Sequence, residues 1–209
     1  EVGQLHDAAL DALEVVATAR RHQDQEQVDK VDHRHLGLTD TDRFDEAEEL
    51  FREILAYRET RLETEPDEFA GDLIGYAGLL YQVGRYRESV EQTTRALEVM
   101  EDAGLTSGTD YRVGLGDHAR AHGSLGEPEK ALPLIDRAIT ISAETIGVRS
   151  GSYGVLLANK ATYLEEVGRR EEALALRRQS HEICVASLGP DNPRVASNLH
   201  NMGILLHRM

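Results

Sequence analysis

Between Glu65 and Gly104 the apolar positions fall at helical spacing twice over, and the two runs meet at Gly84-Arg85-Tyr86. Apolar residues recurring about every three to four positions mark a helix with one buried face. The stretch therefore reads as helix, turn, helix. The same pattern returns along the chain. Gly84, Gly126 and Gly168 are spaced by 42 residues, and each is followed by a helix-start sequence. One step of 42 back from Arg85-Tyr86 meets Arg43-Phe44, and one step on from Val167 meets Met209. A fixed period of roughly 20 to 50 residues marks stacked units, each contacting only its neighbours.

Columns within the repeat agree. Seven residues before each turn stand Ala77, Ala119, Ala161 and Gly203, and eleven before it Leu73, Leu115, Leu157 and Leu199. In the second helix Ala47, Ser89, Ala131 and Ala173 are small again. Phe51, Thr93, Ile135 and Arg177 follow, then Ile54, Ala96, Ala138 and Ser180. Small residues facing large ones let two helices interlock closely. The pattern predicts helices over 1–21, 24–38, 43–63, 67–83, 86–102, 109–124, 128–145, 152–167, 171–187 and 193–209. Asp42 and Asn192 are expected caps, and Pro66, Pro128 and Pro193 suit a first turn, where the missing N–H is harmless. Residues 1–21 read either as the second helix of a degenerate unit or as a helix capping the first repeat.

This pattern resembles the tetratricopeptide repeat, a helix-turn-helix unit usually of about 34 residues. The eight extra residues fall between units, as in Ser187-Leu188-Gly189-Pro190-Asp191-Asn192-Pro193. With the following Asn198-Leu199-His200-Asn201-Met202-Gly203, that form is similar to the 42-residue kinesin-light-chain subtype. The resemblance implies an all-α fold, a right-handed α-solenoid. Its expected layout is an N-terminal helix and degenerate first repeat over 1–42 and a solenoid over 43–209. The solenoid divides into 43–66 (second helix only), 67–108, 109–150, 151–192 and a partial unit 193–209.

In this family the first helices line the inner wall and bind a peptide or protein segment. Carried over, the wall residues expected to bind are Gly71, Gly75, Gly78, Tyr81, Asp117, Arg120, Asn159, Thr162, Glu166, His200, Asn201 and Arg208. Gly71, Gly75 and Gly78 share one helix face, and each mid-helix glycine costs about 1 kcal/mol relative to alanine. Such a face admits another backbone, packs a neighbouring helix tightly, or accepts the chain's own N-terminal segment; all three stay open. Asn159 and Asn201 share a column in which the family uses asparagine to bond a peptide backbone, since an amide both donates and accepts. Gly75 and Asp117 interrupt it. The Lys/Arg pairs of the family's carboxylate clamp are missing, which disfavours an acidic C-terminal peptide.

Composition narrows the function classes. The 209 residues are 40% hydrophobic and 29% charged, with a net charge of -15. That charge reads as a solvated face or as attraction to a basic partner, and it disfavours nucleic acid. Three lysines stand against twenty arginines, a skew pointing to a GC-rich bacterial genome. A single cysteine, Cys184, rules out an intramolecular disulfide. No run approaches the roughly 18–20 apolar residues that span a membrane, and no signal peptide is visible, so the expected location is cytoplasmic. The chain starts at Glu1 and ends inside a repeat, the mark expected of a fragment. Its last helix carries an apolar face (Leu199, Met202, Leu206, Met209) expected to be exposed, which suggests homo-oligomerisation there.

No catalytic centre, cofactor or metal site is predicted. His118 and His122 form an i, i+4 pair, but their columns hold Tyr76 and Leu80, so packing between helices is expected. No nucleophile elbow or phosphate-cradling loop is present, and Cys184 reads as a packed thiol. The function expected is a non-catalytic protein-interaction module. The alternative is the ligand-sensing or regulatory part of a larger bacterial transcription regulator, NTPase switch or protease.

Overall fold

The computed structural model describes residues 41–209, which form eight α-helices. They are α1 (Thr41–Glu59), α2 (Pro66–Gln82), α3 (Tyr86–Asp102), α4 (Thr109–Ser124), α5 (Pro128–Thr145), α6 (Gly151–Glu166), α7 (Arg170–Leu188) and α8 (Pro193–Arg208). The helices expected over 1–21 and 24–38 lie outside the described residues. The chain divides into two compact units, Glu1–Asp72 and Leu73–Met209, with the division inside α2.

In the first unit, α1 is already helical at Asp42, so that residue does not stand ahead of the helix as a cap. The helix also stops at Glu59, short of the expected 63. Thr60 donates its hydroxyl to Tyr57 O (2.8 Å) and Thr64 donates to Arg61 O (3.1 Å). Such local bonds compete with the helical ladder and favour turns. Ile54, Leu55, Phe69 and Ala70 are buried. Arg58 joins α1 to the start of α2 through Glu65 (2.8 Å), Glu68 (3.1 Å) and the buried Asp72 (3.1 Å).

In the second unit the helices pack on their sequence neighbours, and the first helices also touch one another: α4 meets α6, and α6 meets α8. The turn glycines have φ of 80°, 71° and 82° at Gly84, Gly126 and Gly168. A side chain there would meet the following carbonyl, so only glycine adopts this conformation freely. The turn lets Arg169 N–H reach back to Leu164 O (2.8 Å), satisfying an end carbonyl. A second series, Gly104, Gly147 and Gly189, follows the second helices, also at positive φ (72°, 85° and 88°). Pro66, Pro128 and Pro193 occupy first helical positions, and Asn192 caps α8 by accepting from Arg194 N–H (2.9 Å). Ser150 caps α6 through Tyr153 N–H (3.2 Å), which starts that helix one residue earlier than expected.

The small columns are where the helices interlock. Ala77, Ala119, Ala161, Ala131 and Ala173 are fully buried, as are Leu73 and Leu115. Polar members of these columns are satisfied locally. Ser89 donates to Ala77 O (2.9 Å), and Ser180 donates to Gly154 O (2.6 Å) while accepting from Asn198 Nδ2 (2.9 Å). Arg177 is 3% exposed and donates to Glu165 (2.5 Å) and to Thr162 Oγ1 (3.2 Å). The last helix departs from expectation at one point. Met202 packs against Ala161, Leu164, Ala173, Leu174 and Leu205, because α8 rests on α6 and α7. Leu199, Leu206 and Met209 are exposed as expected, and Ile204 joins them.

Four variants test these contacts by their unfolding stability. Glu165→Ala strands the buried Arg177 guanidinium and should lower unfolding stability by about 3 kcal/mol. Arg177→Ile with Glu165→Gln, which restores the residue α5 carries in that column, should recover most of the loss in urea titrations. Gly168→Ala should cost about 1–2 kcal/mol. Gly203→Ala, in an exposed helix position with nothing within 4 Å of the new Cβ, should gain roughly 0.5–1 kcal/mol.

Candidate functional site

The candidate site is the wall that the first helices present in the second unit. Tyr81 Oη lies 2.9 Å from Ser124 Oγ, which ties the end of α2 to the end of α4. Gly123 lets α6 approach α4, for a Cβ there would stand 2.5 Å from the Tyr163 ring. Four positions spaced by one repeat run along this wall: Gly75, Asp117, Asn159 and Asn201. Gly75 is exposed and the other three are half-buried. Asn159 and Asn201 make no side-chain hydrogen bond among the described residues.

The α2–α4 end of the wall is closed on itself. The Arg120 guanidinium lies 4.2 Å over the Tyr81 ring and 2.9 Å from Asp117 Oδ1. Burial pushes the Asp117 carboxyl up, and Arg120 opposes that shift. Burial, then the neighbouring Tyr81, raises the Tyr163 phenol, so it is a neutral donor at physiological pH. Glu166 is exposed, and its carboxyl is raised by desolvation and by Glu165 and Glu129.

The remaining expected residues are placed unevenly. Gly78 is half-buried with no atom within 4 Å of an added Cβ, so tight packing of a neighbour does not explain that glycine. Gly71 is half-buried and belongs to the other unit. Thr162 bonds Ala158 O (3.3 Å) and accepts from Arg177, so its hydroxyl is engaged with α7. His200 and Arg208 are exposed on α8.

A second polar cluster is not evident from the repeat spacing. His118 and His122 are buried and stacked, with Nε2 atoms 3.0 Å apart, and His122 Nδ1 is 2.7 Å from Glu127 Oε2. They do pack between helices. If Glu127 accepts from His122 Nδ1–H, then His122 Nε2 accepts from His118 Nε2–H, and His118 Nδ1 is left buried without a partner. Glu127 is lowered, first by His122 and then by Lys130. The sequence does carry a signal for this cluster. Glu127 stands where other units have Arg85 and Arg169, and Lys130 where they have Glu88 and Glu172. Those arginines clasp their glutamates (Arg85 Nε to Glu88 at 2.6 Å, Arg169 Nε to Glu172 at 2.7 Å). The middle unit reverses both charges and so supplies histidine with a carboxylate.

Among the described residues no group of three or more His, Cys, Asp or Glu is arranged to hold a metal ion, and no helix is long and apolar enough to cross a membrane. Cys184 is buried, 4.0 Å from Ser180 Oγ, and burial pushes its thiol up. The chain's acidity is uneven. Residues 1–72 carry 21 acidic and 8 basic side chains, whereas residues 73–209 carry 17 and 15. The wall thus belongs to the nearly neutral part.

Residues 153–209 match the family model of the tetratricopeptide repeat. No curated protein matches the sequence. Among solved structures, BtubC (BKLC) from P. vanneervenii is similar with a TM-score of 0.70 at 20% identity, over 78% of this chain and 65% of that one. The chain therefore spans slightly less than two thirds of that protein. A Podosopora anserina putative kinesin light chain with nearly identical TPR-like repeats has a TM-score of 0.66 at 20% identity, covering 78% of each chain. A point-substituted form of that same fungal chain has 0.68 at 20% identity, over 78% of this chain and 77% of that one. Residues 153–209 are thus similar to tetratricopeptide repeats, and the described chain has the α-solenoid fold of tandem helix-turn-helix repeats seen in these solved structures. The tetratricopeptide repeat is in general a protein-interaction module.

The histidine pair generates a pH prediction. Burial, then His122, lowers His118 to about 4, against about 6.5 for free histidine. The unfolded chain then binds more protons than the folded one between those values, so stability falls as pH drops through that window. The fall between pH 7 and pH 5 should shrink by about 2 kcal/mol in His118→Tyr/His122→Leu, measured by urea unfolding at both pH values.

Proposed function

We propose that this chain binds an extended peptide, or an exposed segment of a protein, along the first-helix wall of α2, α4, α6 and α8. The observation that carries the reading is the pair Asn159 and Asn201. They are equivalent amides one repeat apart, half-buried, and without partners among the described residues. Leaving a partly desolvated amide unpaired has a cost. A segment that offers a backbone N–H and C=O to each amide removes it, since each amide donates and accepts. Gly75, which is exposed, and Gly78, with no atom within 4 Å of an added Cβ, support the reading, because an open glycine surface lets another backbone approach. No covalent step is involved. Recognition rests on shape and backbone hydrogen bonding, with side-chain selectivity added around it.

The test is a selection from a displayed random-peptide library against the purified chain, followed by anisotropy with the recovered sequences. Asn159→Ala/Asn201→Ala should weaken binding about 10- to 100-fold, from two to four lost hydrogen bonds, with helicity unchanged. Gly78→Leu should weaken it as well by filling the open surface. Recovered peptides that bind all three proteins equally would sink the reading.

A further inference from the structure

Asp117 is the one charged residue in the column that otherwise holds Gly75, Asn159 and Asn201. Its side chain is 26% exposed and that of Arg120 is 43% exposed, so both meet solvent at the wall. Arg120 is held flat on Tyr81, 4.2 Å from the ring centroid, and Tyr81 is in turn fixed by its hydroxyl contact with Ser124. Asp117 is the acid that engages this guanidinium, while Arg120 Nε is buried without a partner. The cation is thereby fixed in place and neutralised by the wall itself.

We propose that Asp117 is a specificity-determining residue, which excludes acidic side chains from the part of the bound segment that faces α4 and admits neutral or basic ones. This rests on the peptide-binding reading above. An amide at this position accepts and donates, whereas a carboxylate only accepts. A ligand must therefore offer Asp117 a donor: a backbone N–H, a hydroxyl, an amide or an ammonium. A ligand carboxylate would meet a like charge in a partly desolvated setting, and it would find Arg120 already engaged. Arg120 does not act as an anion receptor while Asp117 is present. The chain's excess of acid lies in residues 1–72, so this exclusion comes from one placed carboxylate and not from the net charge.

The experiment uses the peptides recovered with the wild-type chain, each remade with Asp, Asn or Lys at every position in turn and titrated by anisotropy. In the wild type, Asp at the position facing α4 should weaken binding on the order of tenfold relative to Asn. Asp117→Asn should abolish that penalty, because it frees Arg120 and restores the amide of the column. Arg120→Gln should move it the other way, leaving Asp117 uncompensated and strengthening the preference for Lys. Unchanged helicity and melting temperature in Asp117→Asn would show that the change is one of selectivity. An Asp penalty that is the same in all three proteins overturns the inference, even where Asn159→Ala weakens every peptide alike and so upholds peptide binding. Recovery of no peptide at all by the wild type overturns both.

Discussion

Every other feature of this chain depends on how closely a first helix can approach the second helix of its own unit. Fully buried alanines on both sides set that distance: Ala119 in α4 and Ala131 in α5, then Ala161 in α6 and Ala173 in α7. With no side chain beyond Cβ at the contact, large residues on either side, such as Leu115 and Ile135, fill the space around it. The same contact repeats along the chain, so the unit propagates. A wall of first helices is its by-product, since elements one repeat apart end up side by side.

The interlock tolerates polar residues only when the neighbouring helix supplies a partner. Ser180 replaces an alanine and bonds Gly154 O across the contact, where the absence of a Cβ on Gly154 leaves room for Cys184. Arg177 replaces Ile135 of the preceding unit and is accommodated by Glu165 and Thr162. His118 and His122 replace Tyr76 and Leu80 and are accommodated by Glu127. In each case a second change elsewhere in the unit accompanies the first. A buried polar group without that partner would leave its desolvation uncompensated.

The wall has two kinds of surface. Between α2 and α4 the polar groups satisfy one another through Tyr81, Ser124, Arg120 and Asp117. Along α6 and α8 Asn159 and Asn201 remain unengaged. A rigid, self-satisfied stretch beside an unsatisfied one suits recognition of a segment in a fixed register. In the binding proposed for this wall, the open amides would supply binding energy and the closed charge pair would supply discrimination.

What the sequence determined by itself is the period, the helices and the small-residue interlock. These are set by short-range chemistry: turn glycines at positive φ, prolines at first helical positions, and apolar spacing that repeats every 42 residues. The end of α1 departs from the apolar pattern, because Thr60 and Thr64 compete for carbonyls that the pattern alone assigns to the helix. The partial burial of Met202 is not legible in its spacing, because it comes from the way α8 rests on α6 and α7. The column of wall positions is legible, but the state of each member is not. Only the tertiary structure decided that Thr162 is engaged by Arg177, that Asp117 and Arg120 neutralise each other over Tyr81, and that a charge reversal at Glu127 meets His122. The reason is physical. A column is defined by spacing along one helix, whereas the partners that satisfy a polar side chain come from helices distant in sequence, and only their packing brings those groups within bonding distance.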